Sequence, residues 1–194
     1  MILPIYAYGT DALRANTEPV EENTEALQTL IDNMIETMHA APGVGLAAPQ
    51  VGRTERLFVV DATPNAEEIE HDGETLPPQP MIFINPEIAW ESDTEVDFEE
   101  GCLSIPDVQQ AVTRPERIHI EYLDRDFKRR ELEVGSVLAR IIQHEFDHIE
   151  GILFTDHLSA FRKRLLKRTL REMAEGEVEA DYPMKTRQAE AQAQ

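Results

Sequence analysis

The 194-residue chain has a single cysteine, Cys102, so it can close no disulfide within itself. That excludes a secreted scaffold held by disulfides and fits a reducing compartment, with the cytoplasm as the expected location. Long apolar runs are missing as well. None approaches the ~18 residues that a bilayer-spanning helix needs, so no membrane segment is expected. The opening residues, Met1-Ile2-Leu3-Pro4-Ile5, lack a basic region followed by a long apolar stretch, and no signal peptide is expected. Basic side chains are scarce, 18 against 38 acidic, for a net charge of −20. That disfavours a general binder of DNA or other nucleic acid, because phosphates need a basic surface. The deficit is uneven. Residues 61–100 carry 13 acidic side chains and no Lys or Arg, whereas residues 159–171 carry six basic ones and no acid.

Hydrophobic residues still make up 41% of the chain, which excludes wholesale disorder. At this length they can build one core without disulfides or a structural metal. Residues 1–175 are expected to form a single domain and residues 176–194 a polar, flexible tail.

Leu27, Leu30, Ile31, Met34, Ile35 and Met38 recur at helical spacing within residues 22–40, and Pro42 and Gly43 stop that helix. Residues 56–61 and 81–85 read as buried strands. The acid- and proline-rich stretch between them, 63–80, reads as a solvated surface loop. Ile118, Ile120 and Tyr122, followed by Leu132 and Val134 beyond a polar turn, predict a hairpin. A second helix is expected from Val134 to Glu150, with Gly151 at its C-cap. A third should run from Ser159 to Ala174, with Phe161, Leu165, Leu170 and Met173 inward. Arg164, Lys167, Arg168 and Arg171 would form its basic face. Short strands mixed with three helices, without βαβ alternation, give an α+β fold class.

The strongest chemical signal is His144-Glu145-Phe146-Asp147-His148. On a helix the two imidazoles lie on one face, where they can share a metal ion, and the intervening Glu can reach a water beside it. The stripe Val137, Ile141, His144, His148 turns that face inward. A catalytic site usually takes a third protein ligand. The position where metzincins carry a third His holds Phe154. Glu172, on a basic helix, is a candidate, and so is Cys102, although a lone Cys is more often a packed hydrophobe than a ligand.

Three blocks resemble the bacterial peptide deformylase family: Gly43-Val44-Gly45-Leu46-Ala47-Ala48-Pro49-Gln50, Glu100-Gly101-Cys102-Leu103-Ser104 and Gln143-His144-Glu145-Phe146-Asp147-His148. They occur in the family's order, and the resemblance spans roughly residues 2–172. It implies antiparallel β-sheets packed around a central metal-binding HExxH helix, with an N-terminal and a C-terminal helix. The activity it implies is removal of the N-formyl group from the formyl-methionine of new polypeptides, releasing formate. Cys102, His144 and His148 would hold the metal, Fe²⁺ in the family, with Zn²⁺, Ni²⁺ or Co²⁺ as substitutes. Glu145 would be the general base for attack by a metal-activated hydroxide, and the Gln50 side chain and the Leu103 N–H would stabilise the oxyanion. Val44, Phe98, Val137 and Ile141 would line the methionine pocket, and the backbone of Val44, Gly45 and Gly101 would offer a strand edge to the peptide.

Arg140 stands where the family pattern is aliphatic. Two readings are open, that it edges the pocket and tunes the next substrate positions or that it snorkels to solvent, and the second is the one expected. The basic helix Ser159–Ala174 suggests a weak ribosome contact. Two rival readings are a zincin-like peptidase, which would need a ligand downstream of His148, and an idle relative that only binds ribosomes or nascent chains.

Overall fold

The computed structural model describes residues 1–187. In chain order its elements are β1 (Ile5–Tyr6), α1 (Glu25–Ala40), β2 (Gly45–Ala47), β3 (Leu57–Val60), α2 (Ala66–His71), β4 (Met81–Glu91), β5 (Glu95–Cys102), β6 (Ile105–Pro115), β7 (Arg117–Leu123), β8 (Arg129–Gly135), α3 (Ser136–Ile149), α4 (Ala160–Ala174) and β9 (Met184–Lys185). The expected α+β class holds. Five strands form one antiparallel sheet in the order β2-β3-β4-β7-β8, and β5 and β6 pair as a separate antiparallel hairpin.

Strand β3 explains the layering. All four of its residues are buried, because alternate side chains serve two cores. Phe58 and Val60 pack with α3, while Leu57 and Val59 pack with α1. Helix α1 starts where the Thr24 side chain accepts from the Leu27 N–H, and it buries Leu27, Leu30, Ile31, Met34 and Met38 as expected. Helix α3 is buried on nearly every side, so the sequence His144–His148 lies deep in the molecule. Gly151 ends it at φ +70°, a conformation that glycine adopts without strain, and its N–H bonds the His148 carbonyl.

Three expectations need correction, and one stretch left without an element gains one. The stretch 63–80 is not simply a solvated loop. It contains α2, and Ile69 is fully buried in the α3 core. Two apolar residues in six, Ala66 and Ile69, among Glu67, Glu68 and Glu70, leave no period to read.

Residues 95–115, assigned no element above, form the long β5–β6 hairpin. Its alternating Val96 and Phe98 are partly exposed rather than in a core, so the strand reads as polar.

In α4, Phe161 and Leu165 do not face inward: they are 71% and 66% exposed. The packed stripe is Leu166, Leu170 and Met173, at i, i+4 and i+7.

The tail is ordered within the described residues. Strand β9 pairs in parallel with β1, through Ile5 N–H to the Pro183 carbonyl and Ala7 N–H to the Lys185 carbonyl. Residues 188–194 lie outside the described residues. Among the described residues, no helix is long and apolar enough to cross a membrane.

Candidate metal centre

Cys102 ends β5 at a break in the hairpin register, between the pairs Gly101–Gln109 and Cys102–Ile105. The break swings its thiol toward α3. Cys102 Sγ lies 3.2 Å from His148 Nε2. One donor atom each from Cys102, His144 and His148 falls within 4.8 Å of the others. Among the described residues no downstream side chain joins them, so Glu172 is not part of the cluster. It pairs instead with Arg168, one turn earlier on α4.

The two imidazoles are held differently. His144 Nδ1 meets Glu100 Oε2 at 2.9 Å, which leaves Nε2 to face the thiol. Glu100 is itself buried and takes two hydrogen bonds from Arg114, at 2.7 and 3.0 Å. Arg114 also pairs with Asp147 at 2.6 Å, and Asp147 with His157 at 2.7 Å. Burial alone would raise the Glu100 carboxyl, but His144 and Arg114 outweigh it and hold the group well below the usual carboxylate range.

Burial also works against the Cys102 thiolate, yet the facing imidazoles bring the thiol down to about 5. For His144, too, burial opposes the charge, but contacts with Cys102 and Glu100 raise the ring well above its ordinary value. A metal ion must displace that proton to bind.

Glu145 behaves in the opposite way. Burial is the dominant influence and raises it to about 7, against the pull of both imidazoles. Its Oε2 is buried and finds no hydrogen-bond partner among the described residues, and neither does His148 Nδ1. The carboxylate lies against Gly45, where any Cβ would collide with it. This explains a glycine there without any phosphate. Gly43 has the same relation to the Leu103 side chain.

Gln50 is locked in orientation. Its Oε1 accepts from the Ala47 N–H at 2.8 Å, so Nε2 points at Cys102 Sγ (3.6 Å) and Ser104 Oγ (3.3 Å). One thiolate and two imidazoles around an orphaned carboxylate suit a divalent transition metal.

These groups open onto a cleft of about 1240 Å³. The four residues expected in the methionine pocket, Val44, Phe98, Val137 and Ile141, all line it, as do Gly45, Gly101 and Leu103. The Val44 carbonyl is taken by the Asp61 N–H at 2.9 Å. In an antiparallel ladder the next residue then turns its backbone groups outward, so Gly45, rather than Val44, offers the edge.

Arg140 corrects another expectation. It does not snorkel; it is 4% exposed and hydrogen-bonded to Glu100, Val96 and Val112. Sequence reasoning also missed the far wall of the cleft, where Glu179, Asp181 and Tyr182 come from the supposed tail. A lone aromatic in a polar stretch was the only signal for it.

A model of the family described as polypeptide deformylase matches residues 2–164. The chain belongs to the polypeptide deformylase family. The peptide deformylase of Salinibacter ruber is 68% identical over 190 residues, covering 98% of this chain and 97% of that protein. That of Christiangramia forsetii is 45% identical over 188 residues, covering 95% and 96%. Among solved structures, a peptide deformylase from Legionella pneumophila matches with a TM-score of 0.78 at 38% identity, covering 89% of this chain and 95% of that one. The Ehrlichia chaffeensis peptide deformylase in complex with actinonin matches at 0.79 and 37%, covering 88% and 96%. Membership carries the coarse activity with it: this enzyme hydrolyses the N-formyl group from new polypeptides.

Proposed function

We propose that the chain deformylates N-formylmethionyl peptides with a divalent ion held by Cys102, His144 and His148, physiologically Fe²⁺, for which Zn²⁺, Ni²⁺ or Co²⁺ can substitute. The observation that carries this reading is a thiol and two imidazoles converging beside a buried, unpaired Glu145 carboxylate. When bound, such an ion supplies Lewis acidity, lowering the pKa of water and polarising the formyl carbonyl.

The chain's own groups do the rest. Glu145, raised to about 7 by burial, suits proton transfer near neutral pH. It takes a proton from the attacking water as the new C–O bond forms at the formyl carbon. It returns that proton to the methionine nitrogen as the C–N bond breaks, so formate and a free amine leave. Gln50 Nε2, fixed by the Ala47 contact, and the Leu103 N–H donate to the developing oxyanion. Gly45 and Gly101 hold the peptide backbone by strand addition. Val44, Phe98, Val137 and Ile141 take the methionine side chain.

The test is formate release from formyl-Met-Ala-Ser, with and without a chelator. Release that a chelator abolishes and added metal restores is expected. Chelator-resistant release overturns the metal assignment, and cleavage of the Met-Ala bond instead would favour a zincin-like peptidase.

We also place the enzyme in the cytoplasm, where its single unpaired cysteine stays reduced. A weak ribosome contact through α4 fits its exposed Phe161 and Leu165 beside Arg164 and Lys167. Arg168 and Arg171 are each paired with an acid one turn on, which reduces the basic face. Reversing Arg164 and Lys167 to Glu should weaken co-sedimentation with ribosomes at low salt. Unchanged co-sedimentation leaves that face merely solvated.

A further inference from the structure

The hairpin β5–β6 carries Phe98, Glu100 and Cys102, yet among the described residues it belongs to no larger sheet. Backbone pairing therefore does not fix its distance from α3, and side chains must. Arg140 spans that gap. It sits on α3 one turn before His144, among aliphatic residues. Nη1 donates to Glu100 Oε1 at 2.8 Å and to the Val112 carbonyl at 3.0 Å, and Nη2 donates to the Val96 carbonyl at 2.7 Å. One guanidinium thus ties both strands of the hairpin to the helix. Its Cζ also stands 5.8 Å from the centre of the Phe98 ring, within cation–π range. Phe98 and Glu100 are two residues apart on one strand, so their side chains share a face. That ring is 36% exposed and forms a wall of the cleft. Glu100 does not need Arg140 for charge balance, since Arg114 already grips both of its oxygens.

We propose that Arg140 is a positioning residue that sets the width of the cleft between Phe98 and the helix residues Val137 and Ile141, and with it the choice of N-terminal side chain. This rests on the proposed reading of the cleft as the methionine subsite. The fork reaches Glu100 and Val112 from Nη1 and Val96 from Nη2, and a lysine, with one nitrogen in place of two, does not reproduce that spread. Arg140→Lys therefore keeps the charge but releases the hairpin.

The experiment compares kcat/KM for formyl peptides with Met or Ala as the first residue, together with metal content and Tm. In Arg140→Lys the Met-over-Ala preference should fall by about tenfold, the scale of one or two methylenes in an apolar pocket. The fall should come through KM for the Met peptide, with metal content unchanged. Phe98→Leu, at a partly exposed position that leaves folding safe, should lower the same ratio. Adding Arg140→Lys to it should lower the ratio little further, because both act on one wall. Val137→Phe narrows the subsite without Arg140 and should also lower the ratio. A ratio that moves in Val137→Phe but not in Arg140→Lys overturns the positioning role alone. A ratio unmoved in both overturns the subsite reading. An equal loss for both peptides in Arg140→Lys, with a lowered Tm, makes Arg140 merely structural and overturns the proposal.

Discussion

The Tyr182 hydroxyl donates to the Leu103 carbonyl at 2.8 Å, joining residues 79 positions apart. Leu103 follows the cysteine of the candidate centre, and its own N–H is proposed to face the oxyanion. The bond therefore links the segment leading into β9 to the loop that carries the proposed oxyanion donor. Burial, with the nearby Cys102 charge, pushes the Tyr182 phenol up to about 12, so it remains a donor at every working pH. Tyr182→Phe should remove one hydrogen bond, typically about 0.5–1.5 kcal/mol. Steady-state kinetics should then show kcat reduced a few-fold, at most about tenfold, with KM little changed. An unaffected kcat would mean that the loop holds its place without the tyrosine.

The sequence made the centre legible in unequal parts. The pair His144 and His148 is local, because helical spacing alone brings the rings together. Cys102 comes from 42 residues earlier than His144, and no periodicity links a hairpin end to a helix; residue chemistry made it a candidate beside Glu172, and the resemblance chose between them. Elements whose apolar residues serve a core were readable, as in α1, β3 and α3. Elements that spend apolar residues on the cleft were not. Phe98 on β5 walls the cleft and stays partly exposed, and Tyr182 alone anchors a polar segment. Arg140 misled for a related reason. A charged residue in an aliphatic run looks like a snorkeller until its partners, Glu100 and two backbone carbonyls from another element, are in view.

Glu145→Gln should separate metal binding from turnover. The side chain is proposed to touch the reacting water and not the ion, and its volume against Gly45 is kept. Elemental analysis should return wild-type metal content. Turnover of formyl-Met-Ala-Ser should fall by at least ~10²–10⁴-fold, the usual cost of losing a general base. In the wild type, kcat/KM should rise with pH as Glu145 loses its proton, since only the carboxylate can accept one. The cations around it, a bound ion included, place that rise at or below its value of about 7. A flat acid limb, or near-normal turnover in the variant, would give the base to another group.

Cys102→Ser should weaken metal retention as well as activity. A hydroxyl is not ionised near neutral pH, whereas this thiol is drawn down to about 5 by the facing imidazoles. Dialysis against a competing chelator, followed by metal analysis, should show faster loss from the variant than from the wild type. Full stoichiometry in the variant would reduce Cys102 to a packed thiol.

Arg114 ties together Glu100 and Asp147, which position His144 and the end of α3, and it is 5% exposed. Arg114→Met takes one cation from buried Glu100, which keeps Arg140 and His144, and from partly buried Asp147, which keeps His157. Breaking a buried pair typically costs about 3–5 kcal/mol, and the remaining partners reduce that figure here. The loss should depend on pH in a definite direction. Both carboxyls are depressed in the folded protein, despite burial, by their partners: His144 and Arg114 for Glu100, His157 and Arg114 for Asp147. A depressed carboxyl contributes stability that is fully present above its unfolded value and drains away as pH falls below it. Those ordinary values are 4.5 for Glu and 3.8 for Asp. The gap between wild type and variant should therefore be widest at neutral pH and shrink as the pH drops through about 4.5. Urea denaturation of both proteins at pH 7 and pH 4, with the metal chelated, reads the gap directly. A gap equal at the two pH values would mean that Arg114 stabilises through packing of its stem and not through the two charges it bridges.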